Sequence, residues 1–119
     1  MALPKIEKGS FLIIRTDGAT ETIEKKPTLG NLRQAIGADE LEFVRVGKAD
    51  DSDIVMAVDE MGYETEIVDH GDGRIELRPL RAKKPFNLEG SRLYHAICWP
   101  GTTHQIVGDV ALCHDADFA

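Results

Sequence analysis

Long apolar runs are missing from this 119-residue chain. The longest are Ile54-Val55-Met56-Ala57-Val58, Phe11-Leu12-Ile13-Ile14 and Val110-Ala111-Leu112-Cys113, far short of the about 20 residues that a membrane-spanning helix needs. Met1 to Ser10 carries Lys5, Glu7 and Lys8 but no apolar h-region, so a secretory signal is not expected. Two cysteines, Cys98 and Cys113, are too few for a disulfide framework, and a reducing cytoplasm is the expected compartment. Aromatic residues make up only 6%, which leaves the core to Ile, Val and Leu. No phosphate-cradling Gly-rich loop precedes a helix, and there is no nucleophile elbow, no His-Glu-x-x-His and no internal repeat. These absences disfavour an enzyme, and no cofactor is expected.

What is present is acidity, unevenly placed. The formal charge is −7. Residues 1–38 carry a net +2, residues 39–76 a net −10, residues 77–92 a net +4 and residues 93–119 a net −3. So acidic a chain is a poor match for duplex nucleic acid. The central block is either a solvated sheet edge or a docking face for a basic partner, a host protein or another copy of the chain. The residues expected to carry such a face are Asp50, Asp51, Asp53, Glu60, Glu64 and Glu66.

The pattern predicts an α+β domain over 1–119. Phe11 to Arg15 reads as a strand, Asp17-Gly18 as a hairpin turn, and Thr20 to Glu24 as the antiparallel partner. Thr28 is placed to cap a helix carrying Leu29, Leu32, Ala35 and Ile36, with Gly37 as the left-handed residue beyond its end. Leu41 to Val46 is a third strand. Ile54 to Val58 is the most apolar segment and reads as a central strand buried on both faces. Asp69-His70-Gly71-Asp72-Gly73 turns a second hairpin between Thr65–Val68 and Arg74–Leu77. Residues 78–91 read as a basic irregular loop with room for a helical turn, and Leu93–Trp99 and Gln105–Cys113 as a last hairpin around Pro100 to Thr103. The expected architecture is a single, mainly antiparallel mixed β-sheet with one packed helix, opening on a β-grasp-like ββαβ unit. Residues 1–10 form an N-terminal extension and 114–119 a tail.

Three constellations have chemical potential. Cys98, His104, Cys113 and His114 are zinc-type ligands, but no two stand two to four residues apart as compact zinc motifs require, so no metal is expected. His95 and Asp109 would face each other across the last hairpin. A carboxylate so placed fixes an imidazole's tautomer, although an ordinary ion pair is the plainer reading and no nucleophile accompanies it. The cations Arg78, Arg81, Lys83, Lys84 and Arg92 either hold a phosphate-bearing ligand or neutralise the acidic block, and the second is preferred. The ligand version would use Arg78, Arg81, Lys84, His95, His104 and Asp109.

The order of Ile54 to Gly62, then Pro79 to Asn87, then Ile106-Val107-Gly108-Asp109-Val110 resembles a family of small phage, plasmid and bacterial proteins known as domain of unknown function 3846. Leu29-Gly30-Asn31-Leu32-Arg33-Gln34-Ala35-Ile36-Gly37 matches that family's helix, and the similarity spans residues 11–113. The hairpin at Asp69 to Gly73 is longer than in the family. The resemblance implies a mobile-element context and carries no catalytic residues. With the acidic block, it implies a non-enzymatic accessory protein acting on a host protein.

Overall fold

The computed structural model describes residues 3–49, 52–96 and 105–117. Seven strands and two helices follow in the order β1 (Phe11–Ile14), β2 (Thr20–Ile23), α1 (Leu29–Ile36), β3 (Leu41–Ala49), β4 (Ser52–Asp59), β5 (Tyr63–Asp69), β6 (Ile75–Ala82), α2 (Leu88–His95) and β7 (Val110–His114), with a 3₁₀ turn at Asp115–Asp117. Five strands form one sheet in the order β2-β1-β7-β4-β3, and β5 and β6 form a separate two-stranded ribbon. The fold is α+β, and every pairing in the sheet is antiparallel.

The opening elements follow from local chemistry. Arg15 N–H donates to Ala19 O at 2.8 Å across the hairpin turn, and Gly18 takes a φ of 89° there. The Thr28 side chain accepts from Asn31 N–H at 3.1 Å, capping α1, and Gly37 ends it in the left-handed region at φ 67°.

The sheet is apolar on both faces because it is covered on both. Phe11, Ile13, Ala57, Ala111 and Cys113 point to one side, where Leu32 and Ile36 of α1 pack on them. Leu12, Ile14, Ile54, Met56, Val110 and Leu112 point to the other, beneath Leu93 of α2 and Ile6 of the N-terminal segment. Alternating side chains thus enter two cores, and β1 and β7 are buried at every position.

Several expectations are corrected. There are two helices, not one: Leu93 to His95 belong to α2, so the pairing of 93–99 with 105–113 is not formed over its described part, and β7 pairs instead with β1 and β4. Residues 97–104, with Cys98, the Pro100–Thr103 turn and His104, lie outside the described residues. The stretch 78–91 is not an irregular loop, since β6 runs to Ala82 and α2 begins at Leu88. The expectation for Ile54–Val58 holds: β4 is an interior strand between β7 and β3, and Ile54, Met56, Ala57 and Val58 are buried. Residues 3–10 are no loose extension, because Ile6 and Ser10 are buried. The expected tail begins with the buried last residue of β7. The two-core packing explains the missed helix: a sheet apolar on both faces needs a cover on each.

Candidate functional site

The acidic block does not gather on one surface. Asp50 and Asp51 lie outside the described residues. Asp53 stands at the start of β4 and Glu60 just past its end, seven residues apart along an extended chain, or roughly 23 Å. Glu64 and Glu66 lie on the ribbon, where each meets an arginine. Arg81 Nε and Nη2 donate to the two Glu64 carboxylate oxygens at 2.8 and 3.0 Å, and Arg78 Nη1 stands 3.8 Å from Glu66. Arg78 also reaches Glu76 at 3.3 Å, and His70 Nε2 lies 2.9 Å from the same carboxylate. The His70 hydrogen bond and then the Arg78 charge hold the Glu76 carboxyl below its ordinary range.

The basic segment is likewise spoken for. Lys84 Nζ lies 2.7 Å from Asp59 and donates to the Gly37 carbonyl at 2.8 Å. Arg92 pairs with Glu89 one helical turn away. Of the six residues of the ligand reading, Arg78, Arg81 and Lys84 are therefore bound to this chain's own carboxylates. Asp109 is taken by Arg15, whose Nη1 donates at 2.9 Å, and by Thr16 N–H at 3.0 Å. Glu21 holds the other arm of that guanidinium at 2.7 Å; bonds to Glu21 and then Asp109 push the Arg15 pKa up. His95 sits on α2 and does not oppose Asp109 in a ladder, so the postulated imidazole–carboxylate pair is not formed that way. His104 lies outside the described residues.

Pairing elsewhere leaves a group of carboxylates with no cation. Asp39, Glu40, Glu42 and Glu60 have no ion pair among the described residues, and the strand register brings them to one end of β3 and β4. Glu60 N–H donates to Glu40 O at 3.1 Å, which fastens that end together. Beside it is a cavity of about 130 Å³ lined by Glu42, Asp59, Glu60, Tyr63 and Tyr94 over an apolar floor of Val44, Val58, Ile106 and Val107. The Tyr63 hydroxyl donates to the Gln105 carbonyl at 2.5 Å, and burial pushes its pKa up.

Three features were not anticipated from sequence. Asn87 is fully buried, caps α2 and donates to two distant carbonyls. Ser91 Oγ accepts from Ile106 N–H at 2.8 Å within the same buried seam. His114 is buried against the N-terminal segment. The one sequence-level signal for any of them is an Asn followed two residues on by an acid, the start of a capped helix.

No helix among the described residues is long and apolar enough to cross a membrane. Comparison with protein-family models, with curated proteins and with solved structures finds no match for the chain.

Proposed function

We propose that this chain is a small accessory protein of a phage or mobile element. In this reading it works in the cytoplasm and acts by binding a host protein through surface carboxylates, as an inhibitor or modulator rather than by catalysis. The resemblance to domain of unknown function 3846 supports the context. The observation that carries the reading is the end of the β3–β4 hairpin where Glu42 and Glu60 stand with Asp39 and Glu40, without an ion pair among the described residues, while Glu64, Glu66 and Glu76 of the ribbon are already paired. Unpaired carboxylates held on a rigid sheet end steer a basic partner and favour one orientation of docking.

The test is affinity capture from the native host's lysate at low and high salt with three proteins: wild type, Glu42→Lys/Glu60→Lys, and Asp50→Lys/Asp51→Lys/Asp53→Lys. One stoichiometric partner, weakened by salt and lost with at least one of the two charge reversals, is the expected result. Capture of no partner, or equal capture by all three proteins, rejects the reading.

A further inference from the structure

Strand register fixes which side chains meet at the cavity between Glu42 and Glu60. Glu42 is the partner of Val58, so both stand on one face of the sheet, and Val44, two residues along β3, shares that face. It is the face that α2 covers, since Val44, Val58, Ile106 and Tyr94 belong to one core. Asp59 pairs with Leu41 and turns to the other face. There Lys84 Nζ lies 2.7 Å from Asp59 Oδ2, while Asp59 Oδ1 accepts from Met61 N–H at 2.9 Å. The Asp59 carboxylate is thus already satisfied, and the charge at the cavity is that of Glu42 and Glu60.

Floor and mouth differ in chemistry. Val58, Ile106 and Val107 are buried and Val44 is half-buried, whereas Glu42 and Glu60 are exposed and mark the side open to solvent. The volume of about 130 Å³ is close to the roughly 150 Å³ of an apolar cavity that takes a benzene-sized group. That is room for one side chain. An ammonium or guanidinium pushed down to valine and isoleucine would lose its water for nothing, while an aliphatic group gains by the same move. A cation belongs instead at the mouth, where Glu42 and Glu60 have no ion pair among the described residues. Met61, next after Glu60, is 54% exposed and adds an apolar side chain at the same turn.

We propose that this cavity is a socket for one aliphatic side chain, of leucine size, carried on a short basic segment of the protein partner. The anchor rests on Val58 and Ile106, and lysines or arginines beside it in the partner's sequence reach Glu42 and Glu60. An apolar anchor inside a polar rim is how interfaces exclude water from their central contact. Charge complementarity selects the carrier. An acidic segment would set its carboxylates against Glu42 and Glu60, and against Glu40, whose carbonyl accepts from Glu60 N–H at 3.1 Å. The proposal rests on the interaction reading above and adds the local chemistry of the partner.

The test is titration of the ¹⁵N-labelled protein, following the backbone amides of Glu42, Val44, Val58 and Tyr94 by NMR at low salt. The probes are acetylated, amidated pentapeptides: Lys-Arg-Leu-Lys-Arg, its counterpart Lys-Arg-Ala-Lys-Arg, and the acidic Glu-Asp-Leu-Glu-Asp. The expected result is a saturable shift of those amides by the leucine peptide, with a dissociation constant on the order of 1 mM. Alanine in place of leucine should weaken binding about tenfold, and the acidic peptide should leave the amides unmoved. Glu42→Gln/Glu60→Gln, two exposed changes, should weaken the leucine peptide about three- to tenfold and flatten its salt dependence. No shift at these amides with about 10 mM leucine peptide, or equal binding of either control peptide, overturns the proposal. Shifts that grow with protein concentration in the absence of peptide assign the cavity to a second copy of the chain, and overturn it too. A captured partner that is lost with Glu42→Lys/Glu60→Lys, while the leucine and alanine peptides bind alike, would sink the socket and keep the interaction reading. A leucine-dependent response with no captured partner would keep the chemistry of the socket and sink that reading.

Discussion

Asn87 ties three segments of the chain at a point water does not reach. Its Nδ2 donates to the Ile14 carbonyl at 2.9 Å and the Gly108 carbonyl at 3.0 Å, while its Oδ1 accepts from Gly90 N–H at 2.9 Å at the start of α2. Asn87→Ala removes the cap and orphans two buried carbonyls, so a loss of about 2–4 kcal/mol in urea denaturation is expected. Asn87→Asp keeps the cap acceptor but sets a carboxylate against those carbonyls, and should lose at least as much. Wild-type stability in the Asp variant would show that the amide donor does not hold this seam. Cys113 makes a separate point about pH. Burial, and then the charges of Asp117 and Asp115, push its thiol from the ordinary value of 9.0 to about 11. Above pH 9 the unfolded thiol ionises while the folded one stays protonated, so stability falls as pH rises through that window. The loss is on the order of 2–3 kcal/mol. Denaturant melts from pH 8 to 11 should show that slope in the wild type and a shallower one in Cys113→Ala. Parallel slopes would mean the buried thiol does not couple folding to pH.

At the scale of elements, the β5–β6 ribbon and the five-stranded sheet are built differently. The sheet's inner strands are sealed in two cores, whereas the ribbon exposes Ile67 at 72% and Ile75 at 69% and relies on ion pairs across its other face. Its base is closed by Lys83 N–H donating to the Gly62 carbonyl at 2.8 Å. Amide exchange should therefore be fast in Glu64–Asp69 and Ile75–Arg81 and slowest in β1 and β7. Equal protection in both would show that the ribbon unfolds only with the whole domain. Elements with local causes were legible in the sequence: the Asp17-Gly18 hairpin, the Thr28 cap, Gly37 and the second hairpin all depend on neighbours a few residues away. The second helix was not, because Leu93 and Tyr94 look strand-like and its cap, Asn87, is fixed by Ile14 and Gly108, which are remote in sequence. The candidate surface was legible only as a composition. Which carboxylates keep their charge to themselves depends on strand register and on the arginines of β6, neither of which a charge count contains.

For the molecule as a whole, the arrangement is an antiparallel sheet with α1 on one face and α2 with the N-terminal segment on the other. The same topology separates the acidic block into two ends and a ribbon. That segment is held from the far end of the chain: Ile6 by His114, and Gly9 by Asp117. The strand that joins the β1–β2 hairpin to the β3–β4 hairpin is β7, the last of the described strands in chain order. During translation the ribosome therefore releases two hairpins with open inner edges, and they stay unjoined until the residues around 114 leave the exit tunnel. Completion of the sheet in that sense waits on its last described strand. The interval before β7 arrives is when a nascent chain carrying Phe11–Ile14 and Ile54–Val58 most needs a chaperone.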